Sequence, residues 1–200
     1  MPKIVDHDER RQLIVDGMWR IVQRDGLAAV SVRSIAAEVG LSKSTIGHYF
    51  PSQAQVLSLA VEQTIESTTA EAIELDLDNC TPAIAESVLL LMVPTTARQR
   101  KRAEVWLALL DERNSDPDIG ATLTHLNQMV REGIRTLLAS MAANGLVGKG
   151  RDLDRETIKI HAVIDGLSLQ TLTDQKATPT ATVKQVLAEV VRDLAVPVVH

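Results

Sequence analysis

Lys43, Ser44 and Thr45 stand side by side within SVRSIAAEVGLSKSTIGHYF, residues 31–50. An ammonium followed by two hydroxyls on the exposed start of a helix is a set of groups that can meet base edges in a DNA groove. The neighbouring residues are those needed to hold them there. Ser31 is a good N-cap, and Val32, Ile35, Ala36 and Val39 then repeat at helical spacing. Gly40 can take a positive φ without a Cβ clash and Ser42 can cap a second helix, leaving a turn of about three residues. Ala36 is small enough for close helix crossing, and Ile35, Val39, Leu41 and Ile46 can form a shared apolar seam. The spacing predicts a helix-turn-helix whose second helix enters the major groove.

The rest of the sequence predicts helices throughout. Asp6 and Glu9 form a capping box ahead of a helix with Leu13, Ile14, Met18, Ile21 and Val22 on one face, stopped at Gly26. Ser52 and Gln55 form a second box, opening a long helix towards Leu75. Thr81-Pro82 starts another that ends near Pro94, since proline at the first helical position lacks only an N–H that would go unpaired. Further helices are expected over about 98–113, from Asp116-Pro117 to about Asn144, over 154–173 and over 182–195, with a glycine-rich break at Gly145, Gly148 and Gly150. No stretch alternates with period two over a strand's length. The expected class is therefore all-α: a three-helix helix-turn-helix domain, residues 1–51, followed by a larger helical effector-binding and dimerisation domain, residues 52–200.

Composition narrows the function. The chain has 200 residues, 45% of them hydrophobic, and a net charge of −5. Residues 1–51 hold seven Lys/Arg against six Asp/Glu, a balance of +1, so the remainder carries −6. A near-neutral N-terminal unit on an acidic body suits contact with DNA over a small footprint. Cys80 is the only cysteine, which excludes an intrachain disulfide and a thiolate metal site and makes a reducing cytoplasm the expected location. The N-terminus has no signal-peptide run, and Val88–Val93 is too short to span a bilayer. No metal or other cofactor is expected.

The first fifty or so residues resemble the N-terminal domain of the TetR family of bacterial transcriptional repressors. The likeness is carried by Ser42-Lys43-Ser44-Thr45-Ile46-Gly47-His48-Tyr49-Phe50-Pro51-Ser52-Gln53, set against a family segment resembling S-K-G-T-L-Y-H-Y-F-P-S-K. This resemblance implies that Lys43, Ser44 and Thr45 read bases, that His48 and Tyr49 meet the DNA backbone, and that Ser31 and Arg33 lie near phosphate. Ser42, which opens the segment, belongs to the same DNA-binding set. Ser44 replaces the usual glycine, Gly47 a common aromatic, and Gln53 a phosphate-holding lysine. Loss of that lysine should lower the salt slope by about 0.9. Gly47 weakens its helix by roughly 1 kcal/mol relative to alanine. Trp106-Leu107-Ala108-Leu109, Asp116-Pro117-Asp118 and Ala162-Val163-Ile164-Asp165-Gly166-Leu167 resemble the effector domain of the family's betaine-type branch, over most of residues 80–172. From that likeness alone follow quaternary amines as effectors.

Residues outside the helix-turn-helix supply the remaining candidates. Trp106 can pack a ligand or hold a cation on its face, and Met92, Met129, His125 and Asp165 are further effector-contact candidates, each weighed against a structural role. The basic run Arg98–Arg102 sits near a helix N-terminus, where positive charge is unfavourable, and Glu74, Asp76 and Asp78 are its candidate partners. The last two helices are strongly apolar: Val183, Val186, Leu187, Val190, Val191 and Leu194 share a stripe, while Ile158, Ile160, Val163, Ile164, Leu167, Leu169 and Leu172 surround theirs. A second copy would cover the outer side, with Gly166 and Ser168 allowing close approach, and would supply two recognition helices for a two-fold operator. The expected switch is a dimer released from double-stranded DNA when a small molecule shifts the helix after Ser52. An enzyme is disfavoured by the absence of an acid/base cluster, a phosphate loop or a nucleophile elbow. The rival reading is a helical dimeric adaptor without sequence-specific DNA binding.

Overall fold

A computed structural model describes residues 7–113 and 117–197. Among them lie nine α-helices and no strand: α1 (His7–Asp25), α2 (Val32–Val39), α3 (Lys43–Tyr49), α4 (Gln53–Ile73), α5 (Pro82–Leu91), α6 (Ala97–Glu112), α7 (Pro117–Ala143), α8 (Leu153–Thr173) and α9 (Thr180–Leu194). A single 3-10 turn, Leu27–Ala29, follows α1. The all-α expectation holds. Asp6 and Asp116, expected to open two of these helices, lie outside the described residues.

The chain divides into two compact units, one of residues up to Gln63 with Glu104–Thr124, the other of Thr64–Ala103 with residues from His125 onward. In the first, α1 buries Ile14, Val15, Met18, Ile21 and Val22 and packs against α2 and α3. Gly17 makes that packing close, because a Cβ there would come within 2.3 Å of Val39 Cγ1. The helix stops at Gly26, whose φ of 84° lies in the left-handed region that favours glycine.

The core of the second unit is built from α5 (Val88, Leu89), α7 (Ile134, Leu137, Leu138, Met141), α8 (Ile160, Ile164, Leu167) and α9 (Val183, Leu187, Val191, Leu194). Thr81 caps α5 by accepting from the Ile84 N–H, with Pro82 at the first position. Asp152 accepts from the N–H groups of Asp154 and Arg155, so α8 begins one residue before the expected Asp154. The turn between α7 and α8 clasps the end of α9. The Gly148 N–H donates to the Leu194 carbonyl at 2.8 Å, and a Cβ on Gly148 would collide with the Val196 backbone at 2.5 Å. Arg151 donates to the carbonyls of Val196, at 3.0 Å, and Asp193, and to Glu156 Oε1 at 2.9 Å. Glu156 is only 6% exposed and also accepts from Lys159 Nζ at 2.9 Å. Its burial raises its proton affinity, but the bonds from Lys159 and Arg151 outweigh that and hold the carboxyl below its ordinary range.

One of the acids expected to balance the basic run is engaged within its own turn. Asp76 accepts from the backbone and side-chain N–H groups of Asn79. Arg100 instead donates to the Thr95 carbonyl at 3.0 Å, and the acid that Arg102 feels is Glu71. Burial, followed by the like charge of Arg98, weakens proton binding at Arg102 against that attraction.

His161 is buried on α8, 3.7 Å from Asp165 Oδ1. Burial pushes its imidazole below the ordinary range; Asp165 opposes this and Arg131 adds to it. The unfolded chain therefore takes up a proton near pH 6.5 that the folded chain resists, so stability is complete above that value and declines as the pH falls through and below it. Thermal unfolding followed by circular dichroism at pH 7.5, 6.5 and 5.5 should show this decline in the wild type and a shallower one in His161→Gln.

Candidate nucleic-acid interface

Local chemistry positions α2 and α3. The Ser31 hydroxyl accepts from the Ser34 N–H at 3.0 Å and the Ser34 hydroxyl accepts from the Ser31 N–H at 2.8 Å, a reciprocal cap made with serine where glutamate is usual. Gly40 ends α2 at φ 68°, and the Leu41 N–H reaches back to the Ala36 carbonyl at 3.0 Å. Ser42 then opens α3, accepting from the Thr45 N–H at 3.0 Å. The seam forms from Ile35, Ala36 and Ile46, all buried, with Val39 and Leu41 half-buried at its margin. On the outside, Arg20 Nε and Arg24 Nη1 grip the two oxygens of Glu38 at 2.9 and 3.0 Å, tying α1 to α2. The bond from Arg20 first, then that from Arg24, holds the Glu38 carboxyl below its ordinary range.

Lys43, Ser44, Gly47 and His48 are exposed on one side of α3, and Ile46 faces the core. Thr45 departs from the expected full exposure. It is half-buried, and its hydroxyl lies 2.8 Å from that of Ser42, which also lies 2.8 Å from that of Ser44. The three hydroxyls thus form one local network at the start of the helix. Arg33 is exposed on the first turn of α2, while the Ser31 hydroxyl is engaged in capping. Tyr49 is half-buried, its ring 5.3 Å from that of His48. Phe50 turns inward, 1% exposed, with the Arg11 guanidinium 4.8 Å from its ring centre.

The fold adds a residue that no sequence pattern marked. His7, on the first turn of α1, brings its ring 4.7 Å from Tyr49 and 6.4 Å from His48. Only tertiary packing joins residue 7 to residues 48 and 49. The expected effector contacts are dispersed in character: Met92, Trp106 and Met129 are half-buried, whereas His125 and Asp165 are exposed, which for Asp165 satisfies its charge by hydration. Trp106 belongs to the first compact unit and the other four to the second.

The profile described as "Bacterial regulatory proteins, tetR family" matches residues 14–60, and that described as "BetI-type transcriptional repressor, C-terminal" matches residues 83–196, more than half of the chain. The chain belongs to the TetR family. TetR-family proteins are transcriptional regulators, not enzymes. This family member is 29% identical over 197 residues to the HTH-type transcriptional regulator PksA of Bacillus subtilis, covering 98% of this chain and 95% of that one. It is 25% identical over 172 residues to the HTH-type transcriptional regulator BetI of Rhizobium meliloti, covering 85% and 81%. A solved structure from Saccharomonospora viridis, described as a transcriptional regulator in complex with choline, superposes with a TM-score of 0.67 and 26% identity over 91% of this chain and 95% of that one. No helix among the described residues is long and apolar enough to cross a membrane.

Proposed function

We propose that this TetR-family regulator is a repressor that binds a two-fold operator as a homodimer and is released by a small-molecule effector. The observation that carries the reading is the start of α3: Lys43 and Ser44 exposed on a helix fixed by Ser42 and by the left-handed Gly40, with Ile46 buried beneath. In this reading residues 1–51 bind DNA, with Ser31, Arg33, Ser42, His48 and Tyr49 positioning the backbone and Lys43, Ser44 and Thr45 facing bases. Residues 52–200 bind the effector and dimerise. The outer side of α8 supports a second copy, since Ile158 at 59% and Leu169 at 50% exposure flank Ala162 and Gly166 along one face. The choline held by the Saccharomonospora viridis protein supports a small quaternary amine as the effector class, with Met92, Trp106, His125, Met129 and Asp165 as candidate contacts.

The test uses duplexes that the wild-type protein retains from a randomised pool. Lys43→Ala should cost about 1–3 kcal/mol on a retained duplex and relax preference at one or two positions, while Tyr49→Phe should weaken all duplexes alike. Equal loss by Lys43→Ala on every sequence would remove the base-reading role, and unchanged affinity in Tyr49→Phe would remove the phosphate role.

A further inference from the structure

His7 and His48 are both exposed, and they flank Tyr49 at ring separations of 4.7 and 5.3 Å. The three rings lie at the C-terminal end of α3, beside the face that carries Lys43, Ser44 and Gly47. Neither imidazole has a carboxylate within ion-pair distance among the described residues. The other charged groups on the elements packed here are Asp8, Glu9, Arg10, Arg11, Asp16, Arg20, Arg24 and Asp25 on α1, Arg33 and Glu38 on α2 and Lys43 on α3, with Glu38 held by Arg20 and Arg24. Histidine is the side chain whose ordinary charge change falls between pH 5 and 8. Both imidazoles adjoin the Tyr49 ring, and with their own centres 6.4 Å apart two cationic rings repel. An anion placed before both rings removes that repulsion.

We infer that His7, Tyr49 and His48 form a phosphate clamp, in which the two neighbouring imidazoles bind a DNA backbone phosphate with proton uptake. His7 is thereby a DNA contact supplied by α1. Tyr49 sets the orientation of both rings through its half-buried position and can donate its own hydroxyl to the same strand. The inference rests on α3 being the DNA-binding helix. It predicts that affinity and its salt dependence both grow as the pH falls, because each added cation that neutralises a phosphate steepens the salt slope by about 0.9.

The experiment measures binding of the full chain to a fluorescein-labelled 30-base-pair mixed-sequence duplex by anisotropy, at several sodium chloride concentrations and at pH 6.0 and 8.0. The expected result is tighter binding at pH 6.0, with a salt slope steeper by about one to two. His7→Gln and His48→Gln, checked for folding by circular dichroism, should each lose part of that difference and the double variant nearly all of it. Equal slopes at the two pH values overturn the clamp. So does a pH difference that survives in the double variant, which would place the proton uptake elsewhere. Absence of duplex binding at every pH and salt concentration would instead overturn the DNA-binding reading of α3, and the clamp with it.

Discussion

Phe50→Ala should unfold the helix-turn-helix while leaving the α8–α9 region protected. The ring is 1% exposed at the C-cap of α3, its N–H closes on the Ile46 carbonyl at 2.8 Å, and Arg11 covers one face. Removing a fully buried phenyl costs about 3–5 kcal/mol, through lost transfer free energy and the cavity left behind. That is a large part of the stability of a domain of ordinary size. Hydrogen exchange read by mass spectrometry should show residues 7–50 exchanging freely in the variant while the amides of α8 and α9 keep wild-type protection. Phe50→Leu, which fills part of the space, should lie between the two. Uniform loss of protection across the chain would contradict the division into two separately cohesive units.

The second large effect is expected at Arg151. This guanidinium joins the α7–α8 turn, Glu156 near the start of α8, and the carbonyls at the end of α9. Arg151→Ala leaves Glu156 buried with Lys159 as its remaining partner and frees two carbonyls, so we expect a loss of about 3 kcal/mol, the lower end of the range for breaking a buried ion pair. Arg151→Lys should recover only part of it, since an ammonium cannot reproduce the planar fork that serves several acceptors at once. The Glu156 carboxyl is held below its ordinary range, so its contribution is present above the unfolded value near pH 4.3 and is lost as the pH falls through the folded one. Denaturant unfolding at pH 7 and pH 3 tests both statements. The gap between wild type and Arg151→Ala should be wide at pH 7 and should narrow at pH 3.

What the sequence made legible follows from how local the determining interactions are. Ser31, Gly40 and Ser42 act on backbone groups within five residues, so the boundaries of α2 and α3 could be placed from residue types alone. The stripe on α9 is similarly local, because Val183, Leu187, Val191 and Leu194 recur at the period of the helix itself. Asp152 was missed as the cap of α8 because Asp154 and Glu156 follow it and offer the same signal. Thr45 is adjacent to Lys43 and Ser44 in sequence but rotates towards the Ser42 hydroxyl, a consequence of the 100° step between helical neighbours. Charge in a sequence carries no direction: Asp76, one candidate partner of the basic run, satisfies Asn79 within its own turn, whereas Glu71, not among the candidates, acts on Arg102. His7 could not be read at all, since 41 residues separate it from His48 and no periodicity links them.

The most direct test of the central claim, that α3 reads DNA in a two-fold arrangement, is selection by the full-length protein from a randomised duplex pool, followed by sequencing of the retained molecules. The account predicts enrichment of a sequence with two inverted half-sites whose centres lie about 10 base pairs or a multiple apart, and loss of that enrichment with Lys43→Ala. Retention of duplexes without sequence preference, or an enriched sequence that Lys43→Ala retains unchanged, would contradict it.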